Sequence, residues 1–358
     1  MSQVPFAFGR SGSDESPTTD GSIALINLVS QIDSQETEAR MGVATVESQV
    51  ALTELITLRG LILGRISDFE RAEECAERLL RNEGANASAF CARARTRATF
   101  HRFADALADL DAAERLSPNL DGLKSERAAV LQALGHYDEA LVIRREAASL
   151  RPSFETLAAL AGLCAEHGEI ETAERLFLES QSRYRGVSPF PLAIMDFQCG
   201  LMWMNNGQLD SARSSFDAAQ RRVPAYAPAQ GHLAEVEAQL GDIETAIDRL
   251  TPLAWSSEDP DYAAQLARIL GDAGRSDQSR DWSQRAGTSY DELIARHPEA
   301  FADHAAEFWL EVGANPKKAL PLAQLNFANR KTPRALDLLS RAASASRAAG
   351  SSKMDAPC

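Results

Sequence analysis

DGLKSERAAVLQALGHYDEALVIRREAASLRP, residues 121–152, is the stretch whose reading decides the fold. Two apolar-periodic runs, Leu123 to Leu134 and Tyr137 to Leu150, flank Gly135 and His136, and Pro152 closes the unit. In the second run Tyr137, Ala140, Leu141, Ala147 and Leu150 recur at mostly helical spacing, as do Ala128, Leu131 and Leu134 in the first. Glycine suits the end of the first helix because it enters the left-handed conformation without a steric penalty. Proline suits the end of the second because it cannot continue a helix. The stretch reads as a helical hairpin.

That hairpin recurs along the chain. The alanine at the Ala140 place reappears as Ala72, Ala106, Ala173, Ala212, Ala246 and Ala319, with Ser279 in the remaining slot. Successive gaps are 34, 34, 33, 39, 34, 33 and 40 residues. Turn glycines recur as Gly135, Gly168, Gly207, Gly241 and Gly274, and closing prolines stand at Pro118, Pro152 and Pro224. A sustained period near 34 with helix–turn–helix content marks one class of solenoid. A small residue also recurs midway through the first helices, at Ala94, Ala128, Ala161, Gly200, Ala234 and Ala267. On these residues the chain resembles the tetratricopeptide repeat family of bacterial type, with about eight repeats between residues 50 and 335. The resemblance implies an all-α, right-handed α-solenoid of stacked hairpins.

The expected layout is a disordered segment over residues 1–20, one solenoid with capping helices over 21–349, and a flexible tail over 350–358. Residues 1–20 are rich in Ser, Thr, Asp, Gly and Pro and lack periodicity. Ile23, Ile26 and Val29 mark a short amphipathic helix that caps the first repeat, whose outer face has no neighbour. The long gap before Ala212 places an inserted loop at Tyr184 to Pro191, with Gly186, Pro189 and Pro191 in it. The gap before Ala319 is filled by a longer second helix, Ser276 to Arg296.

A net charge of −14 argues against an extended nucleic-acid surface. The C-terminal end is nonetheless basic: Lys317, Lys318, Arg330, Lys331, Arg334, Arg341 and Arg347 stand there against Asp337. Such polarity allows end-to-end self-association, or simply solvated terminal helices. The five cysteines form no CxxC pair, and Cys164 and Cys199 fall on core-facing places, which favours a reducing compartment. No secretory signal and no membrane-length apolar run is read, so the expected location is cytoplasmic.

Chemistry is hard to find. GxSxG, P-loop and HExxH patterns are missing, so neither catalysis nor a cofactor is expected. Asp303, His304 and Glu307 form the best metal-like grouping, with His232 as a distant fourth donor. A metal needs three or four convergent ligands, and none is expected to bind. His101, His136 and His167 fall at turns and read as capping or solvated residues.

What remains is surface. In the resembled family, first helices line the concave side and their outward positions contact partners. By register this implies Arg95, Phe197, Leu201, Met204, Asn205, His232, Glu235, Gln239, Arg268, His304 and Phe308. The Lys and Asn clamp by which some members hold C-terminal carboxylates is replaced here by Thr57, Leu61, Ala92, Gly122 and Glu126. The functional expectation is a non-catalytic scaffold or adaptor that binds a protein or peptide, with no nucleic acid and no membrane insertion. The alternative is a regulatory sensor of a small ligand or peptide that changes pitch at the 184–191 joint. Phe197, Leu201 and Met204 are either groove floor or core. Because small residues let paired helices approach, Ala128→Leu or Ala140→Leu should overpack a hairpin and cost about 1–3 kcal/mol. Thermal unfolding of either variant at the parent's midpoint would remove this assignment of faces.

Overall fold

A computed structural model describes residues 18–351. Most of the N-terminal segment expected to be disordered, and the tail beyond residue 351, lie outside the described residues. Eighteen α-helices are present, and no strand occurs among the described residues. The first is α1 (Gly21–Arg40). Eight hairpins follow. They are α2 (Val46–Leu63) with α3 (Ile66–Asn82), α4 (Ala87–Thr99) with α5 (Phe103–Leu116), and α6 (Leu123–Leu134) with α7 (Tyr137–Leu150). Next come α8 (Phe154–Glu166) with α9 (Ile170–Arg183) and α10 (Phe190–Asn205) with α11 (Leu209–Arg222). Then come α12 (Ala227–Gln239) with α13 (Ile243–Ser256), α14 (Asp261–Asp272) with α15 (Ser276–Arg296), and α16 (Pro298–Leu310) with α17 (Pro316–Asn329). The last helix is α18 (Pro333–Ser351).

The small residues sit where the register requires. Ala94, Ala128, Ala161, Ala234 and Ala267 on first helices are buried, as are Ala72, Ala106, Ala140, Ala173, Ala212, Ala246 and Ala319 on second helices. Ser279 keeps its slot by spending its hydroxyl, which donates to Ala267 O at 2.7 Å. The turn glycines Gly135, Gly168, Gly207, Gly241 and Gly274 all have positive φ, where a side chain would be strained.

Two details depart from the sequence reading. In α7 the buried stripe is Ala140, Leu141, Arg144 and Ala148, while Leu150 is exposed. Leu150 is nine residues beyond Leu141, and at about 100° per residue that puts it on the opposite side of the helix. In α1 the buried stripe is Ala24, Leu28 and Ile32, whereas Ile23 and Ile26 are 53% and 64% exposed. The cap helix is also twenty residues long rather than short.

The chain forms two compact units, each built from two separate stretches. The first takes residues up to Asp68 together with Tyr137–Arg249. Within it, α1 packs on α2, and its N-terminus meets the end of α11 so closely that a Cβ on Gly21 would lie 2.2 Å from Arg222 O. Thr19 N–H donates to Val187 O at 2.7 Å, which ties the chain start to the 184–191 joint. The second unit takes Phe69–His136 together with residues from Leu250 onward. There the loop after α4 touches the start of α16, residues almost two hundred apart in sequence. Nearest-neighbour stacking alone would give no such contact.

Most hairpins also carry a polar staple between their two helices. Arg59 pairs with Asp68, Arg93 with Asp109, Arg222 with Asp196 at 2.7 Å, and Arg249 with Glu237 at 2.7 Å. Arg330, just after α17, pairs with Asp303. Ser180 Oγ donates to Phe154 O at 2.7 Å in the fourth hairpin, and Tyr290 Oη donates to Asp261 Oδ1 at 3.3 Å in the seventh.

Two glycines of the first unit separate crowding from helix propensity. A Cβ on Gly200 would come 2.4 Å from the Phe216 ring, whereas one on Gly162 would meet only Gln198 Oε1, at 3.9 Å. Gly200→Ala should therefore destabilise by about 1–3 kcal/mol, while Gly162→Ala should stabilise by about 0.5–1 kcal/mol. Urea unfolding midpoints read both, and equal midpoints would contradict the packing.

Candidate partner-binding surface

In the first unit, the outward positions of α10 and α12 gather seven of the expected residues. Phe197 lies 5.6 Å from the Phe216 ring, 5.5 Å from Tyr226 and 5.4 Å from His232. Phe197, Leu201 and Met204 are half-buried and pack around Ala212, Phe216, Leu233 and Val236. They fill the seam between helices and leave only an edge to solvent. His232 stacks on Phe216 at 5.5 Å with its ring nearly parallel, and its Nδ1 stands 3.5 Å from Glu235 Oε2. That separation is too long for a good hydrogen bond, and Nδ1 is buried without a hydrogen-bond partner. Asn205 and Gln239, at the C-terminal ends of α10 and α12, are exposed. The result is a partly covered apolar strip with a polar border.

The second unit holds the other four. Arg95 reaches across from α4 to α6, with its Nε 2.8 Å from Glu126 Oε1. Arg268 is half-buried on α14. Phe308 is buried against Tyr290 at 5.2 Å and Trp309 at 4.8 Å, so it belongs to the packing and presents no face to a partner. The register that placed it outward fails because α15 is long enough for Tyr290 to reach over it.

His304 sits in a network that the sequence did not announce. Its Nδ1 is 3.8 Å from Asp261 Oδ1 and its Nε2 is 4.0 Å from Asp303 Oδ2. Asp261 also accepts from Gln265 Nε2 at 2.7 Å and from Tyr290 Oη. The Asp261 backbone N–H donates to Asp259 Oδ1 at 3.0 Å. Asp303 carries Arg330 as well, and Glu307 pairs with Arg334 at 3.1 Å. Asp303 above all, with Asp261 and Asp259 behind it, pushes the His304 pKa up to about 10. Burial, then the neighbouring Asp261, pushes Asp259 up to about 6. Burial would raise Asp303 too, but His304, Arg330 and His101 hold it below the ordinary carboxylate value. Asp303, His304 and Glu307 are thus occupied with one another's neighbours. Among the described residues no group of three or more His, Cys, Asp and Glu side chains is placed to hold a metal.

Two further surfaces line cavities, of which the sequence pointed only to the one at the 184–191 joint. On second helices of the second unit, Trp255 is 61% exposed, lies 5.0 Å from Trp282, and carries the Arg285 guanidinium 4.2 Å above its ring. These residues line a cavity of about 620 Å³ with Gln278, Asp281 and Thr288. In the first unit, the expected loop at Tyr184 to Pro191 borders a cavity of about 650 Å³ with Pro152, Phe154, Arg183 and Arg185. Tyr184 Oη closes this loop by donating to Ser188 O at 2.6 Å.

The basic C-terminal residues are largely engaged within their own unit. Lys318 pairs with Asp291, Arg330 with Asp303, Arg334 with Glu307, and Arg341 with Glu311. Cys75, Cys91, Cys164 and Cys199 form no disulfide among the described residues, and burial pushes the Cys199 thiol well above its ordinary value. No helix among the described residues is long and apolar enough to cross a membrane.

No protein family and no curated protein matches the sequence. Solved structures do resemble it. The human IFIT1 dimer with PPP-AAAA superposes with a TM-score of 0.55 at 15% identity, covering 82% of this chain and 76% of that one. The human IFIT1 dimer with m7Gppp-AAAA gives 0.56 at 16% identity, covering 88% and 76%. The Cut9–Hcn1 hetero-tetramer of the APC/C gives 0.49 at 17% identity, covering 84% and 67%. At these identities the likeness is one of fold.

The His304 network has a pH signature. A histidine whose pKa is raised on folding stabilises the fold fully below its unfolded value, near 6.5, and loses that contribution as pH rises toward about 10. The imidazole is 43% exposed, so water screens part of the field. His304→Gln should therefore lower the melting temperature most at pH 6 and progressively less toward pH 10, as read by thermal denaturation. A pH-independent difference would contradict the arrangement.

Proposed function

We propose that this chain, an α-solenoid of the tetratricopeptide type, is a non-catalytic scaffold that binds a protein or peptide segment on its first-helix faces. The observation that carries the reading is the strip on α10 and α12: half-buried Phe197, Leu201 and Met204 beside His232 and Glu235, with exposed Asn205 and Gln239 at the border. Apolar edges next to polar groups suit an extended peptide or an amphipathic helix. Methionine favours such a role because its side chain adapts to what it meets.

Protein is favoured over RNA as the ligand on electrostatic grounds. The human IFIT1 dimer, similar in fold, was solved with PPP-AAAA, but here Glu235, Glu126 and Asp261 stand on first helices and the whole chain carries −14. A phosphate backbone needs a basic track. A second reading, a small-ligand sensor, has one observation in its favour, the cavity of about 650 Å³ beside the 184–191 joint. Its volume falls in the range of small-molecule sites, about 300–1,000 Å³.

Photo-crosslinking amino acids placed at Asn205 and Gln239 should capture one discrete partner, and the same group at Val142, exposed on α7, should not. Glu235→Lys should weaken that capture at least about tenfold while leaving the circular dichroism spectrum unchanged. Equal capture from all three positions would overturn the scaffold reading. A ligand-induced thermal shift abolished by Arg185→Ala would favour the sensor instead.

A further inference from the structure

Trp255 stands in the last turn of α13, and Trp282 lies on α15 with its ring 5.0 Å away and inclined at 71°. Both belong to the second unit. On α15, Gln278, Asp281, Arg285 and Thr288 recur at intervals of three and four residues, so they share one face with one another. Together with the two indoles they line the cavity of about 620 Å³. That volume falls within the range of small-molecule sites, about 300–1,000 Å³.

The charges in this cavity are uncommitted. The Arg285 guanidinium lies 4.2 Å from the Trp255 ring centroid and 5.5 Å from that of Trp282. Among the described residues no carboxylate pairs with it. One turn earlier on the same helix Arg280 does pair with Asp277, at 3.2 Å. Asp281 and Arg285 have the spacing that favours such a pair, yet the indoles hold the guanidinium, and Asp281 is left exposed and unpaired. Aromatic faces attract the cation and fix the plane of its fork. The N–H edge of a guanidinium held in this way stays available for a bidentate anion. The cavity therefore offers a positive group, a negative group one helical turn away, and two aromatic walls.

We propose that this cavity binds a small zwitterion with an apolar or aromatic side chain, the chemistry of a free α-amino acid. Its carboxylate meets Arg285, its ammonium group meets Asp281, and its side chain covers the Trp255 and Trp282 rings. Charge decides among the occupants. The chain carries −14, a field that resists a net anion, and a net cation would leave the Arg285 fork unmatched. A zwitterion has no net charge and satisfies both groups. A nucleic-acid strand needs a basic track, and Arg285 is the one cation among the described residues that line the cavity. Covering Trp255, which is 61% exposed, gives the side chain its gain. The site lies on second helices, apart from the strip on α10 and α12, so it stands or falls independently of the scaffold reading.

Isothermal titration calorimetry of the full chain with L-phenylalanine, 3-phenylpropionate and phenethylamine tests the site, because these probes share a ring and differ in charge. Phenylalanine should bind saturably, and at least about tenfold more tightly than either analogue. Trp255→Ala and Arg285→Gln, both at exposed positions, should each weaken phenylalanine binding at least about tenfold. Asp281→Asn should weaken phenylalanine while leaving phenylpropionate unchanged, a split that a mere loss of shape would not produce. Arg185→Ala, at the other cavity, should bind as the parent does. Phenylpropionate binding as tightly as phenylalanine would overturn the zwitterion. Absence of saturable binding by phenylalanine, leucine and tryptophan, or undiminished binding in Arg285→Gln, would overturn the site itself.

Discussion

Two helix backbones can cross as closely as these hairpins demand only where the crossing carries a methyl group or less. That steric limit organises the rest. It explains why alanine recurs at both crossing positions, and why Gly200 stands where Phe216 leaves no room for a Cβ. It also explains how a serine is tolerated at residue 279, since its hydroxyl finds the Ala267 carbonyl. A buried hydroxyl without such a partner would cost about 1–3 kcal/mol. Close crossing also limits how much large aliphatic surface each hairpin can bury. The hairpins therefore depend on what else their helices share.

What they share is polar. Arg–carboxylate pairs, each with its carboxylate buried, join the two halves of five of the eight hairpins, with Ser180 and Tyr290 serving in two others. Relative to a well-packed apolar pair such a staple adds little net stability, yet removing one partner costs about 3–5 kcal/mol because the other charge is left buried. The asymmetry matters for specificity. A hairpin slipped by one residue would turn its alanines about 100° away from the crossing and strand an ion as well. In the second hairpin the arrangement is a network, with Asp109 held by both Arg93 and Arg97, which also reach Glu77 of the preceding hairpin. Charge thus reinforces the register that the methyl-sized crossings set.

These two layers were unequally legible in the sequence. Alanine and glycine at a period near 34 announce themselves, and the helices from α2 to α18, the long α15 and the loop after α9 all follow from that spacing. The staples do not, because their partners stand 9, 16, 26, 12 and 27 residues apart with no common interval. The outward faces were half legible. Register put His232, Glu235, Asn205 and Gln239 on one surface, but it could not foresee that Tyr290 would cover Phe308 or that the strip at Phe197 would be half filled by its own neighbours. Contacts such as His101 with Glu299 were invisible for a different reason. Periodicity describes how each repeat meets the next, and it carries no term for repeats that meet again much later in the chain.

That missing term bears on what a solenoid can do. An array held only by neighbours bends as a soft spring, and a partner that binds its first helices must supply the free energy of fixing its curvature. Here each unit draws together two stretches far apart in sequence, so part of that ordering is already present before any partner arrives. The cost moves from affinity to access, because a face built from preordered helices binds more tightly but admits fewer shapes. Electrostatics pushes the same way. Lys318, Arg330, Arg334 and Arg341 are committed to acids of their own unit, so the −14 that remains is an unneutralised background and not a designed track. Such a field excludes anionic partners more effectively than it selects cationic ones. Under the proposed scaffold reading, selection falls to short-range features, the apolar edges of Phe197, Leu201 and Met204 and the polar groups beside them.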